Sequence, residues 1–80
     1  MSRFLLHNRH EPRECGVTYA AFKGHPSPLR RHQTASSCLS GGHEIWWLVD
    51  ADDADAALAL LPAYVAARSS VIAIREVLIP

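Results

Sequence analysis

The chain has 80 residues, a length that fits one small domain spanning residues 1–80 with a thin hydrophobic core. Eight Lys and Arg residues balance eight Asp and Glu residues, so no basic field favours a nucleic-acid partner. No apolar run approaches the roughly 18 residues that a membrane span needs. We expect no signal peptide and a cytoplasmic location, where two cysteines are more often free, catalytic or metal-bound than joined in a structural disulfide.

The first third of the chain predicts a strand followed by a helix. Residues 3–10 open with an apolar run that is typical of a β-strand. Pro12 favours a helix start there, because a proline at the first helical position gives up a donor that would be unpaired anyway. One apolar stripe of this helix consists of Cys15, Tyr19 and Phe22.

A long loop is predicted after this helix. Gly24 suits the residue that follows a helix, and residues 24–34 then form a loop in which Leu29 is the one obvious anchor. The basic run Arg30–His32 has no interleaved aromatic residue, so we interpret it as a solvated segment rather than a phosphate site. His25 and His32 are expected to be exposed.

Two strands joined by a hairpin are predicted in the middle of the chain. Residues 35–39 favour a short strand, and Ser40–Gly42 favour a hairpin turn because glycine adopts a positive φ without strain. Residues 43–49 are aromatic and β-branched and form the strongest predicted strand. Trp46 and Trp47 should point to opposite faces of the sheet, one beneath the helices and the other at a dimer interface.

The last part of the chain predicts a helix and a strand. The acidic run Asp50–Asp55 is typical of a helix start, and it lacks the glycine and ligand pattern of a calcium loop. Residues 56–68 favour a helix that Pro62 should kink or divide. Residues 71–79 predict the final strand.

The element order β-α-β-β-α-β predicts an α+β domain on the ferredoxin-like plan. This plan has a four-stranded antiparallel sheet of order 4-1-3-2 with two helices on one face. Both faces of the predicted strands are apolar, although a sheet with one solvated face should alternate. Because so short a chain cannot cover both faces, we predict a homodimer packed sheet on sheet.

The same topology gathers histidine and cysteine side chains at one rim of the sheet. Imidazole and thiolate together suit zinc, nickel or copper. The pattern therefore predicts a zinc or nickel site, although it has no CxxC or HExxH spacing. The predicted ligands are His10, Cys15, Cys38 and His43, with His7 as an alternate ligand.

Other interpretations of these residues stay open. Cys15, at a helix N-terminus near a histidine, is a candidate reactive thiol that should react faster than Cys38, and the two cysteines are also a candidate redox disulfide. Alternatively, the cysteines only pack in the core. The domain is also a candidate dimeric module that binds a small molecule or partner through Trp46 or Trp47. The sequence identifies no catalytic residue, so enzymatic activity stays undecided.

The segment WWLVDADDADAALAL resembles a pattern in small bacterial ferredoxin-like proteins. There an aromatic strand ends in a Val-Glu/Asp-Ala step before an acidic helix start. Among them is a family of short, dimeric, nickel-responsive proteins, and the resemblance covers residues 4–7 and 46–60. It implies a ferredoxin-like dimer that binds a metal. The segments HNRHEPRECG and CLSGGHEIWW depart from that family and are more similar to a separate group of small actinobacterial proteins, so no ligand is carried over from the nickel-responsive family.

Overall fold

The computed structural model describes residues 1–80 as a four-stranded antiparallel sheet with three short α-helices. None of these helices combines the length and the apolar character needed to cross a bilayer. The strands and helices, in chain order, are β1 (Ser2–Arg9), α1 (Cys15–Ala20), β2 (Ala35–Ser36), β3 (Glu44–Ala51), α2 (Ala54–Leu58), α3 (Ala63–Ala66) and β4 (Ser69–Ile74). Two 3₁₀ turns, Pro12–Glu14 and Cys38–Ser40, complete the secondary structure.

The sheet confirms the predicted α+β class and the antiparallel pairing. Its strand order is β2-β3-β1-β4. The central pair is β1 with β3, in a register that sets Ser2 opposite Ala51 and Arg9 opposite Glu44. Since β1 ends where β3 begins, the residues that follow β1 lie beside the hairpin that precedes β3.

One face of the sheet carries the core. Alternation along β1 points Phe4, Leu6 and Asn8 to this face, and all three are buried. Trp47 is also buried here, whereas Trp46 lies on the opposite face, as predicted. The nine buried hydrophobic residues are Phe4, Leu6, Ile45, Trp47, Val49, Ala51, Ala57, Leu61 and Val65.

The opposite face carries an exposed apolar stripe made of Leu5, Leu48 and Ile72. Leu5 of β1 lies directly opposite both Leu48 of β3 and Ile72 of β4. Leu48 and Ile72 are 61% and 54% exposed. The predicted second apolar face of the sheet is therefore present.

Pro62 divides the predicted helix at residues 56–68 into two pieces. The α2 helix ends at Leu58, and α3 begins at Ala63, directly after the proline. Proline cannot continue a helix from its N-terminal side because it lacks the N–H and crowds the preceding turn. At the start of α2, the Asp53 carboxylate accepts a hydrogen bond from the Ala56 N–H at 2.8 Å, as the acidic run suggested.

The predicted strand at residues 35–39 is wrong in length, because only Ala35 and Ser36 pair with β3. Ser37 already closes the turn. Its N–H donates to the Glu44 carbonyl at 2.8 Å, and its carbonyl accepts from the Gly42 N–H at 2.8 Å. Cys38 therefore lies in the turn rather than on a strand.

The predicted last strand at residues 71–79 is also wrong in its bounds, because β4 spans Ser69–Ile74. Its one partner is β1, and Ile74 already lies opposite Arg3. Only Ser2 of β1 remains beyond that point, so the tail that follows β4 has no partner strand. The apolar tail residues Val77, Leu78 and Ile79 are consequently exposed.

Glu14 fastens the first 3₁₀ turn to α3. Its carboxylate accepts hydrogen bonds from the Glu11 N–H at 2.8 Å, the Tyr64 hydroxyl at 2.7 Å and the Arg68 guanidinium at 3.1 Å. These donors, the backbone N–H foremost, lower the pKa of Glu14 to about 2. The stabilisation is therefore present above the ordinary carboxyl pKa and is lost as pH falls towards 2.

Replacing Glu14 by glutamine is expected to lower the melting temperature at neutral pH. The melting temperature of the variant should also fall less than that of the wild type when the solution is acidified. The wild type loses this contribution between pH 4.5 and about 2, whereas glutamine has no proton to gain. Thermal melts of both proteins over this pH range measure the difference. If the melting temperatures of both proteins fell equally with decreasing pH, protonation of Glu14 would not contribute to acid unfolding.

Candidate metal centre

Two cysteines and two histidines meet where β1 and the β2–β3 hairpin adjoin. The four potential ligand atoms of His10, Cys15, Cys38 and His43 all lie within 4.8 Å of one another. The Cys15 sulfur is 3.1 Å from His43 Nδ1, and both sulfurs are 3.3 Å from His10 Nε2. Zinc bonds of about 2.0–2.3 Å set tetrahedral ligand atoms roughly 3.4–3.8 Å apart. Small shifts would bring the four atoms to that spacing.

The first pair of ligands is held by the turn after β1. The His10 N–H donates to the His43 carbonyl at 3.2 Å, which extends the β1–β3 pairing by one step. The Pro12–Glu14 turn then reverses the chain, and Cys15 follows as the first residue of α1. The reversal brings the Cys15 thiol back to the His10 ring.

The second pair lies on the hairpin between β2 and β3. Cys38 begins its 3₁₀ turn, which ends at Gly41 with φ +85°. A Cβ on Gly42 would lie 2.7 Å from the Ser37 Cβ, so only glycine allows the turn to close this tightly. His43 follows with φ +56°, a left-handed conformation that is uncommon outside glycine. This conformation helps to aim its ring back towards Cys15.

Asn8 orients the His10 ring. Its side chain is fully buried, and its amide nitrogen faces the Val65 and Arg68 carbonyls at 3.4 and 3.3 Å. The amide oxygen therefore faces His10 Nδ1, at 2.8 Å. Because this oxygen can only accept, Nδ1 carries the proton and Nε2 keeps a free lone pair. Metal-binding histidines are commonly oriented by such an outer hydrogen bond.

The two thiols differ in acidity. Burial raises the pKa of Cys15, and the neighbouring Cys38 raises it further. Burial also opposes ionisation of Cys38, but hydrogen bonds from Ser36, Tyr19 and Cys15 outweigh it and lower the pKa of Cys38. These directions favour Cys38 as the more acidic thiol, whereas the position of Cys15 at a helix start favoured Cys15, and burial of the Cys15 thiol is the largest cause that raises its pKa.

Metal-free protein is therefore expected to be alkylated faster at Cys38 than at Cys15 near neutral pH, because the thiolate is the nucleophile. Mass spectrometry after short exposure to iodoacetamide measures the two rates, and the denatured protein gives the intrinsic ones. Faster labelling of Cys15 in the folded protein would contradict the assigned acidities.

The structure brings four of the five predicted ligands together and separates His7 from them. His7 lies on the opposite face of the sheet, where its ring stacks on Trp46 with centroids 5.2 Å apart. Its Nε2 is 2.7 Å from a Glu44 carboxylate oxygen. Strand alternation explains this, since His7 and Asn8 must point to opposite faces.

Two further features of the sequence mark the site. His10 and Cys15 are separated by four residues, and so are Cys38 and His43. Asn8 is a polar residue at a position where the alternation of Phe4 and Leu6 predicts burial.

One histidine away from the site also differs from expectation, because His25 is half-buried and its Nε2 atom is buried without a hydrogen-bond partner.

A polar recess of about 380 Å³ borders two of the four candidate ligands, His10 and His43. Comparisons with protein-family models, curated proteins and solved structures found no match to this chain. The chemistry of the four side chains is therefore the basis for inferring a function.

Proposed function

We propose that the protein binds one zinc ion per protomer through His10, Cys15, Cys38 and His43. The observation that carries the proposal is the convergence of four donor atoms within 4.8 Å of one another. Two thiolates and two imidazoles form one of the ligand sets of tetrahedral structural zinc. Nickel is the competing metal, and the measurements below distinguish it from zinc.

Zinc here has a structural role. Four protein ligands complete a tetrahedral shell and leave no position for a substrate. The ion would connect residues 10–15 with residues 38–43, on either side of α1 and the long loop. This half of the chain has little other support, because β2 adds only two paired positions to the sheet. The ion would thus fix the hairpin and α1 against β1.

Native mass spectrometry with elemental analysis of the untagged protein tests the proposal. We expect one zinc per chain, and X-ray absorption should show two sulfur neighbours at about 2.3 Å and two nitrogen neighbours at about 2.0–2.1 Å. The variant His7→Ala is the matched control, because it removes an imidazole outside the group and should keep full zinc content. A metal-free protein that takes up no zinc or nickel at equimolar addition would refute metal binding.

A ferredoxin-like architecture is also part of the proposal. Read from its other edge, the strand order is β4-β1-β3-β2, with antiparallel pairing throughout. The core residues contributed by α2, α3 and the turn between them lie on one face of the sheet. These features support the plan that the element order predicted.

We further propose that two copies associate through the open sheet face. The stripe Leu5, Leu48 and Ile72 is apolar, while each end of the face carries a polar contact, the Arg3–Asp50 ion pair at one end and the His7–Glu44 hydrogen bond at the other. An apolar centre with a polar rim is the usual composition of an interface core. A second copy would supply an identical stripe across a twofold axis.

Light scattering coupled to size exclusion is therefore expected to give a dimer at micromolar concentration. Leu48→Lys should convert it to a monomer, because Leu48 is 61% exposed in the protomer and its replacement leaves the core intact. Val17→Lys, at a position on α1 that is 47% exposed, is the control and should remain dimeric. A wild-type monomer would contradict this association.

A further inference from the structure

A cleft lies between the long loop and the core face of the sheet, separate from the four proposed zinc ligands. It has a volume of about 410 Å³, which is within the range of small-molecule sites. Its apolar surface comes from Phe22, Leu29, Ile45 and Trp47. The Phe22 and Trp47 rings stand 6.0 Å apart between centroids at an angle of 44°, which makes an aromatic corner.

The rim of this cleft is cationic. Lys23, Arg30 and Arg31 line it, and no acidic side chain does. None of these three cations forms an ion pair within the chain. The chain as a whole is neutral, with eight basic and eight acidic residues, so this is a local excess of positive charge.

Hydroxyl groups form one wall of the cleft. The Tyr19 hydroxyl lies 2.7 Å from Ser36 Oγ, and both residues line the cleft. Ser36 Oγ also accepts a hydrogen bond from the Cys38 N–H at 3.2 Å, so this wall is fixed by the hairpin. The cleft therefore offers an apolar corner, a polar wall and unpaired cations around one space.

We propose that this cleft binds a small aromatic carboxylate. The ring of such a ligand would contact Phe22 and Trp47, where aromatic pairs gain more than their buried area alone provides. Its carboxylate would reach the rim, where Arg30 and Arg31 offer charge-assisted hydrogen bonds. Inorganic anions have no apolar group to contact the aromatic corner. Neutral aromatic compounds have no charge to pair with the cations of the rim. None of the groups that would contact this ligand is a proposed zinc ligand, but α1 and the hairpin that line the cleft are the elements zinc would fix, so the proposal rests on the proposed function to that extent and the binding tests use the zinc-loaded protein.

Phenylacetate is the probe, and Trp46→Phe provides a protein in which Trp47 is the only tryptophan. Titration followed by Trp47 fluorescence is expected to give a Kd in the millimolar range or below. The small number of non-hydrogen atoms in phenylacetate limits its binding free energy to this range. Phenylacetamide has the same body without the charge, and acetate has the charge without the ring. Both should bind about tenfold more weakly or worse.

The double variant Arg30→Gln/Arg31→Gln should weaken phenylacetate binding by about tenfold or more. Both side chains are exposed, so the fold does not depend on them. Arg75→Gln, an exposed arginine outside the cleft, is the control and should bind as the wild type does. Equal binding of phenylacetate and phenylacetamide, unchanged binding by the double variant, or no binding at millimolar phenylacetate would overturn the proposal.

Discussion

Replacing Cys38 by serine is expected to lower the affinity for zinc on the order of 100–1000-fold. Structural zinc sites bind with about 10–16 kcal/mol, so each of four ligands contributes roughly 2.5–4 kcal/mol. Competition with a chromophoric chelator measures the change. Cys15→Ser should behave alike, since its sulfur is as close to His10 as that of Cys38.

His43→Asn extends this test to the imidazole ligands. Asparagine tolerates the left-handed backbone of His43 better than most residues, so the variant removes the ligand without adding strain. Zinc affinity should fall as it does in the cysteine variants. His7→Ala should leave affinity unchanged, and an equal loss there would show that the variants weaken binding by disturbing the fold.

Zinc affinity is also expected to fall by about 100-fold for each unit that pH falls within the neutral range, because two thiols must lose their protons to bind, and the fall should steepen below about pH 6.5, where free imidazoles also take up protons. The lowered pKa of Cys38 and the raised pKa of Cys15 set different pH values at which each thiol stops contributing. In Cys38→Ser the slope should drop to about tenfold per unit. A slope that is the same in both proteins would contradict ligation by both thiols.

Replacing Asn8 by alanine is expected to lower both zinc affinity and folding stability. Loss of the outer hydrogen bond to His10 should reduce affinity by about 10–100-fold. The free energy of unfolding of the metal-free protein should fall by about 1–3 kcal/mol, because a buried side chain with several hydrogen bonds is removed. The effect on stability is moderate because the Val65 and Arg68 carbonyls still accept hydrogen bonds from other donors when the Asn8 amide is absent.

The control for Asn8 is Ser69→Ala. Ser69 Oγ donates to the Val65 carbonyl at 2.7 Å and lies 3.3 Å from the Asn8 amide nitrogen, but it does not contact His10. This variant should lose stability and keep zinc affinity. Chelator competition and chemical denaturation of both metal-free variants separate the two effects. Unchanged zinc affinity in Asn8→Ala would show that the His10 ring needs no orienting partner.

Local signals in the sequence predicted most of the elements. Pro12 and Pro62 mark the first turn and the division of the helix, because the geometry of proline acts within its own turn. The alternating pattern of β3 predicted that Trp46 and Trp47 point to opposite faces of the sheet, and the structure shows that Trp47 is the buried one. The bounds of β2 and β4 did not follow from local pattern, since a strand ends where its partner ends.

The four clustered candidate ligands were identified from residue type and topology, whereas His7 and Asn8 show the limit of that reasoning. Residue type alone made His7 a candidate ligand, although its place in the alternation of β1 sends it to the opposite face. Asn8 carries no metal-binding group, so its role depends on the position of the His10 ring. The acidity of the two thiols likewise depends on neighbours such as Ser36 and Tyr19, which lie close only in the folded chain.

The sequence by itself determined the α+β class, the order of its elements and the set of side chains able to bind a soft metal. These properties follow from periodicity, turn residues and side-chain chemistry, which act over a few residues. Only the tertiary structure decided that four of those side chains converge, that Asn8 orients one of them, and that unpaired cations surround an aromatic cleft. Such arrangements join residues far apart in the chain, and their distances are set by sheet register and by where each turn closes.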